Sequence, residues 1–187
     1  MRLFGKTKRL EQRGRPFWLL AVVVFTIPQT AVADLVGRAS VVDGDTIEIH
    51  GERIRIFGID APETTQLCRG SDGLHYRCGA KAANELSQFM GQSTIACTPV
   101  AVDRYARQVT TCMVDDRDVA EWLVRNGHAL DWPKYSHGKY SAAQAQAAQD
   151  EMGIWAGSFA QPWRYRDCMK LRAATRECSD LSSMVSR

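Results

Sequence analysis

All six cysteines of this 187-residue chain lie between positions 68 and 178, and the N-terminal segment has none. An even set of cysteines placed this way points to a disulfide framework built in an oxidising compartment. Six cysteines can pair in many ways, and spacing favours one. Cys97 and Cys112 sit on two strand-like runs, 93–102 and 108–114, on either side of a turn near Arg104 and Tyr105. They are therefore expected to face each other across an antiparallel pair. Cys68 and Cys78 bracket a glycine-containing loop, and Cys168 with Cys178 would close the polar tail; other pairings stay open. A structural zinc site finds no C-x2-C spacing, and His50, His75, His128 and His137 are too scattered to form a ligand pair.

The first 33 residues read as a cleavable export signal. Arg2, Lys6, Lys8, Arg9, Arg13 and Arg15 form a basic lead, 17–27 is an apolar run, and Ala31-Val32-Ala33 is a small-x-small cleavage site. The apolar run is well short of the roughly 20 residues that span a bilayer. Removing 1–33 takes away six of 24 basic and one of 21 acidic residues, leaving 18 and 20, a formal charge of −2. A secreted or periplasmic protein of that charge does not coat nucleic acid by bulk electrostatics, so any phosphate recognition must be local. The rest of the chain fits one core-forming domain over 34–160 and a disulfide-closed tail over 161–187.

Short strand-like runs come first, at 36–42, 46–50 and 53–59. Ile47 and Ile49, then Ile54 and Ile56, alternate with polar residues, the period of a half-buried strand. His50-Gly51-Glu52 reads as the turn between the last two runs. Helical spacing follows at 79–90, with Ala82, Leu86, Phe89 and Met90 as its apolar stripe. Further helices are expected at 119–125, ended by Asn126-Gly127, and at 141–152, with Ser141 and Gln144 in capping-box spacing and Gly153 as the stop. Strands interrupted by helices suggest an α+β protein built on a small barrel.

Chemistry concentrates in Val42-Asp43-Gly44-Asp45-Thr46, in Arg55-Ile56-Phe57-Gly58-Ile59-Asp60-Ala61-Pro62-Glu63-Thr64 and in Asp103-Arg104-Tyr105-Ala106-Arg107. Asp45, Asp60 and Glu63 are suited to hold a hard cation and steer a water, and Arg55 and Arg107 to grip a phosphate through bidentate, charge-assisted hydrogen bonds. In kind and order these segments resemble the staphylococcal-nuclease-like (thermonuclease) family, with its Asp-Gly-Asp-Thr, Arg-x4-Asp-x-Pro-Glu-Thr and Asp-x-Tyr-x-Arg hallmarks. The likeness runs from about Val36 to Trp155.

That resemblance implies a mainly β, five-stranded OB-fold barrel with three helices. It also implies a monomeric, Ca2+-dependent endonuclease that hydrolyses DNA and RNA, preferably single-stranded, to 3'-phosphate ends. Asp45 and Asp60 would be calcium ligands, joined by the carbonyl of Ala61 where the family usually has Thr. Glu63 would orient or deprotonate the attacking water, and Arg55 and Arg107 would stabilise the phosphate. Tyr105 would hydrogen-bond a neighbouring phosphate, and Trp132 and Tyr135 are candidates for base stacking. Two departures bear on substrate grip. Ala106 stands where the family often has Gly, and the Cys68 to Cys78 loop replaces a lysine-rich loop. Two alternatives are a non-catalytic single-strand-binding OB module and an exported accessory protein in exopolysaccharide production, where some family members are genetically placed.

Overall fold

The computed structural model describes residues 34–171 and 174–179, and the expected export signal lies outside them. The chain enters through β1 (Leu35–Gly37), β2 (Ala39–Asp43), β3 (Thr46–Ile49) and β4 (Glu52–Ile56). Next come β5 (Ile59–Asp60), β6 (Leu67–Arg69), β7 (His75–Arg77) and helix α1 (Cys78–Met90). The long hairpin of β8 (Ile95–Val102) and β9 (Gln108–Val114) leads through β10 (Arg117–Asp118) into α2 (Val119–Arg125) and β11 (Leu130–Asp131). After these come α3 (Pro133–Ser136), α4 (Ser141–Gln149), a 3-10 turn at Gly153–Ala156, α5 (Pro162–Lys170) and α6 (Thr175–Ser179). Among the described residues, no helix is long and apolar enough to cross a membrane.

The expected period-two strands supply the core. Ile47, Ile49, Ile54 and Ile56 are buried in one cluster with Leu86 and Met90 of α1 and Val119, Leu123 and Val124 of α2. The apolar stripe of α1 therefore packs as its spacing predicts, with Phe89 half-buried and stacked on Trp122 at 4.0 Å between ring centroids.

Two expectations about architecture are corrected. The main sheet has seven strands in the order β1-β8-β9-β4-β3-β2, with β10 also on β9, so a mixed α+β fold stands but a closed five-stranded barrel does not. β1 and β2 end the path without pairing with each other, which leaves the sheet open. Six α-helices, not three, occur among the described residues. The additional ones are short, and α5 and α6 are tied by tertiary contacts and a disulfide rather than by an amphipathic repeat long enough to read in the sequence.

The capping box is also corrected. Ser141 Oγ donates to the carbonyl of Gly138 at 2.8 Å, and Gln144 Oε1 accepts the Asp131 amide at 2.9 Å, so both side chains serve other segments. α4 ends at Gln149 rather than at 152, and Gly153 opens the 3-10 turn.

Three disulfides join Cys68 to Cys78, Cys97 to Cys112 and Cys168 to Cys178. Cys97 and Cys112 are direct cross-strand partners in the β8–β9 ladder, and both are fully buried. Because this bridge closes a loop with a sequence separation of 15 residues, its loss should cost about 3 kcal/mol by freeing the unfolded chain. Urea unfolding of the Cys97→Ala/Cys112→Ala variant checks this, and an unchanged midpoint would show that the bridge adds nothing beyond packing.

Candidate active site

Strand register brings the first two site residues together. Thr46 of β3 pairs with Arg55 of β4, so Asp45, one residue before β3, lies beside the Arg55 side chain. Ile54 and Ile56 take the core face, and Arg55 is left on the opposite one. Within Asp-Gly-Asp the two acids divide the work. Asp43 Oδ1 accepts the Asp45 amide at 3.1 Å and shapes the turn. Asp45 is buried, accepting Arg55 Nη1 on Oδ1 at 2.6 Å and the Ala61 amide on Oδ2 at 2.9 Å. Gly44 between them allows the close approach, since a Cβ there would meet the Ala61 Cβ at 2.7 Å.

Asp60 lies in β5, opposite Leu130 of β11, with no exposed surface. Its Oδ1 accepts Arg55 Nη2 and Arg166 Nη1, both at 2.9 Å, and its Oδ2 accepts Arg166 Nη2 at 2.7 Å. Arg166 Nη1 also reaches Glu63 Oε1 at 2.8 Å. Asp45, Arg55, Asp60, Glu63 and Arg166 thus form one connected network of ion pairs.

Glu63 is positioned through its backbone. Gly79 of α1 seats directly on the Pro62–Glu63 main chain, where any Cβ would collide with the Glu63 carbonyl. The buried Gln66 accepts the Glu63 amide at 3.2 Å and is anchored in turn by donating to the Ala160 carbonyl at 2.6 Å. Glu63 opens onto a groove of about 430 Å³, lined also by Thr65, Tyr165, Arg166, Met169 and Lys170.

Burial dominates the electrostatics of Asp45. Together with the charges of Asp43 and Asp60, it outweighs the pull of Arg55 and the Ala61 amide and raises the pKa of Asp45 to about 7. Burial also opposes the charges on Arg55 and Arg166, but there the carboxylates win. Asp45 and Asp60 hold Arg55 charged, and Asp60 and Glu63 do the same for Arg166.

Arg107 stands outside this network. It precedes β9, whose Gln108 pairs with Ile54, but its Nε and Nη2 donate to Asp103 Oδ2 at 2.8 and 2.7 Å. Asp103 Oδ1 accepts the amides of Tyr105 and Arg107, which folds the loop around one carboxylate. Burial pushes Asp103 up, but these bonds and the Arg107 charge together outweigh it and hold Asp103 below the usual aspartate range. Ala106 sits in the left-handed region at φ 62, the conformation that glycine adopts without penalty.

Tyr105 is 65% exposed and lies near the Arg104 and Arg107 guanidiniums, so its ring is open to a ligand. Tyr135 is also exposed and meets Trp132 edge-on at 4.5 Å. Trp132 is less free than a stacking platform should be. Trp163 of α5 stacks against it at 6.1 Å, and the Arg166 guanidinium lies 5.5 Å from its ring centroid. Arg166 was not legible as a site residue, because no motif spacing links it to a carboxylate 106 positions earlier. The only sequence signal was the Cys168 and Cys178 pair, which indicates that the tail is folded.

In donor type, Asp45, Asp60 and the Ala61 carbonyl suit a hard cation. Yet each carboxylate oxygen of Asp45 and Asp60 already accepts an N–H, and Asp60 Oδ1 accepts two, so a cation competes with these donors for the remaining lone pairs. Among the described residues, no group of three or more His, Cys, Asp or Glu side chains is arranged to hold a metal ion.

Residues 53–157 match the family model described as staphylococcal nuclease homologue. The chain is 41% identical over 139 residues to the succinoglycan biosynthesis protein ExoI of Rhizobium meliloti, covering 73% of each sequence. It is 28% identical over 120 residues to an uncharacterized endonuclease of Haemophilus influenzae, covering 61% of this chain and 62% of the relative. To the probable staphylococcal-like nuclease CAN3 of Oryza sativa it is 27% identical over 124 residues, 65% of this chain and 30% of the relative.

The left-handed Ala106 carries a penalty of about 1 kcal/mol that glycine would remove. Ala106→Gly should therefore raise stability in urea unfolding, by less than that amount because glycine also frees the unfolded chain, and a loss of stability would contradict the strain. Asp45 generates a pH dependence. The native state keeps its proton up to about pH 7, whereas the unfolded state releases it near the ordinary aspartate value of 3.8. In that window the folded chain binds more protons, so this group's contribution to stability falls as pH rises. Asp45→Asn should flatten the urea midpoint between about pH 4 and 7; a slope equal to the parent's would reject the assignment.

Proposed function

Since the chain belongs to the staphylococcal nuclease homologue family, we propose that it is a secreted or periplasmic, Ca2+-dependent endonuclease. It cleaves single-stranded DNA and RNA as a monomer and leaves 3'-phosphate ends. The observation that carries this reading is the convergence of Asp45, Asp60, Glu63 and Arg55 in one ion-pair network opening onto a groove. Three disulfide bonds support an oxidising compartment.

Asp45, Asp60 and the Ala61 carbonyl would hold the calcium ion, which supplies positive charge to offset that building on the phosphoryl oxygens. Pro62 restricts Ala61 to an extended backbone and so fixes where its carbonyl points. Glu63, fixed by Gln66 and Gly79 but with its carboxylate facing the groove, orients or deprotonates the attacking water. Arg55 is held by Asp45 and Asp60 and would give up part of these contacts to place its positive charge at the scissile phosphate. Arg107 must exchange its Asp103 contact for substrate to act on the departing oxygen. Tyr105, beside it, would reach a neighbouring phosphate, and Tyr135 offers an exposed ring to a base.

The similarity to a succinoglycan biosynthesis protein favours a second reading, an exported accessory protein in exopolysaccharide production. Its residues need not turn over nucleic acid. A pure binding module is less well supported, because Asp45, Arg55, Asp60, Glu63 and Arg107 are all retained. Incubation of the purified protein with single-stranded DNA, in Ca2+ or in chelator, separates these readings. Cleavage should require Ca2+, and Arg55→Ala, Arg107→Ala and Glu63→Ser should each lower turnover by about 100-fold or more while changing affinity little. Absence of cleavage by the parent in Ca2+ would leave the accessory reading standing.

A further inference from the structure

Arg166 makes three hydrogen bonds, all to carboxylates assigned above to the reaction. It grips both oxygens of Asp60 in a fork, and the same Nη1 bridges to Glu63. A guanidinium in this position does what a divalent cation would do there, neutralising Asp60 and tying it to its neighbour. Calcium needs several oxygen ligands with free lone pairs. Asp60 Oδ1 already accepts two N–H groups and Oδ2 a third.

We propose that Arg166 is a functional residue of this site: it occupies the cation side of Asp60 and Glu63 and must yield for a divalent cation to bind, so that α5 sets the metal affinity of the reacting carboxylates. The inference rests on the metal-dependent reading above. Of the two arginines on Asp60, Arg166 is the one able to leave. Its side chain is 32% exposed at the edge of the groove, whereas Arg55 is 17% exposed and held within β4 between two carboxylates. The helix carrying it is not a loose tail. Tyr165 Oη is within 3.0 Å of Thr65 Oγ1, the Cys168–Cys178 disulfide ties α5 to α6, and Ser179 of α6 accepts the Leu67 amide at 3.0 Å. Displacement therefore involves the side chain turning from Asp60 into the groove that it already lines, while the helix stays docked.

Calorimetric titration of the metal-free protein with Ca2+ tests this without reference to turnover. If the guanidinium holds the site in about nine molecules of ten, removing it should tighten the apparent affinity about tenfold. Arg166→Gln should show that gain, together with a larger Ca2+-dependent rise in melting temperature. Arg166→Lys keeps the charge and the fold but not the fork, and should fall between Gln and the parent. Equal or weaker Ca2+ binding in both variants would overturn the proposal and make Arg166 a support for Asp60 instead. Equal affinities in a parent that cleaves DNA with Ca2+ would sink this inference alone. Absence of Ca2+ binding in the parent and both variants would remove the metal reading as well.

Discussion

The site depends on a carboxylate that has no contact with solvent. Burying the charge of Asp60 costs several kcal/mol unless it is paired with good geometry, and here the pairing comes from two guanidiniums, one in the adjoining strand and one from the C-terminal helix. Around that point the chain is drawn together. β5 is held by β11, α1 lies on the Pro62–Glu63 backbone through Gly79, and the Asp43–Asp45 turn closes on Ala61 through Gly44. Removing any one of these close approaches would move a charge relative to its partner, at the distances where Coulomb energy changes most steeply.

The resulting arrangement is poised rather than neutral. Asp45, Asp60 and Glu63 face Arg55 and Arg166 within one network, and because Asp45 keeps its proton up to about pH 7, the cluster gains an excess of negative charge as pH rises through that value. That excess suits a positively charged occupant and disfavours a phosphate arriving alone. Arg107 and Tyr105 form a separate, self-contained loop around Asp103. Substrate would be what joins the two halves.

Much of the local site was readable from residues, because its geometry follows from short-range rules. Period-two isoleucines set the β3–β4 register, and that register places Arg55 next to Asp45. The cysteine spacing that favoured a Cys97–Cys112 bridge matches a cross-strand pair in the structure. Ala106 was marked by the family resemblance, as standing where the family often has Gly, and its backbone is left-handed there. What could not be read was long-range or side-chain competition. The open sheet depends on whether β1 and β2 meet, which no local pattern encodes. Ser141 and Gln144 had capping-box spacing but were taken by Gly138 and Asp131. Arg166 belonged to a segment without a motif, and only folding brings it to Asp60.

The 41% identity to a succinoglycan biosynthesis protein and the match to a nuclease family point to the same fold with different physiological settings. The chemistry at Asp60 and Glu63 is what distinguishes a working phosphodiesterase from a retained scaffold. Mass spectrometry of a single-stranded oligonucleotide after incubation with the protein and Ca2+ addresses that directly. The account predicts fragments ending in a 3'-phosphate that disappear with Glu63→Gln. An intact oligonucleotide, or fragments formed equally by Glu63→Gln, would contradict it.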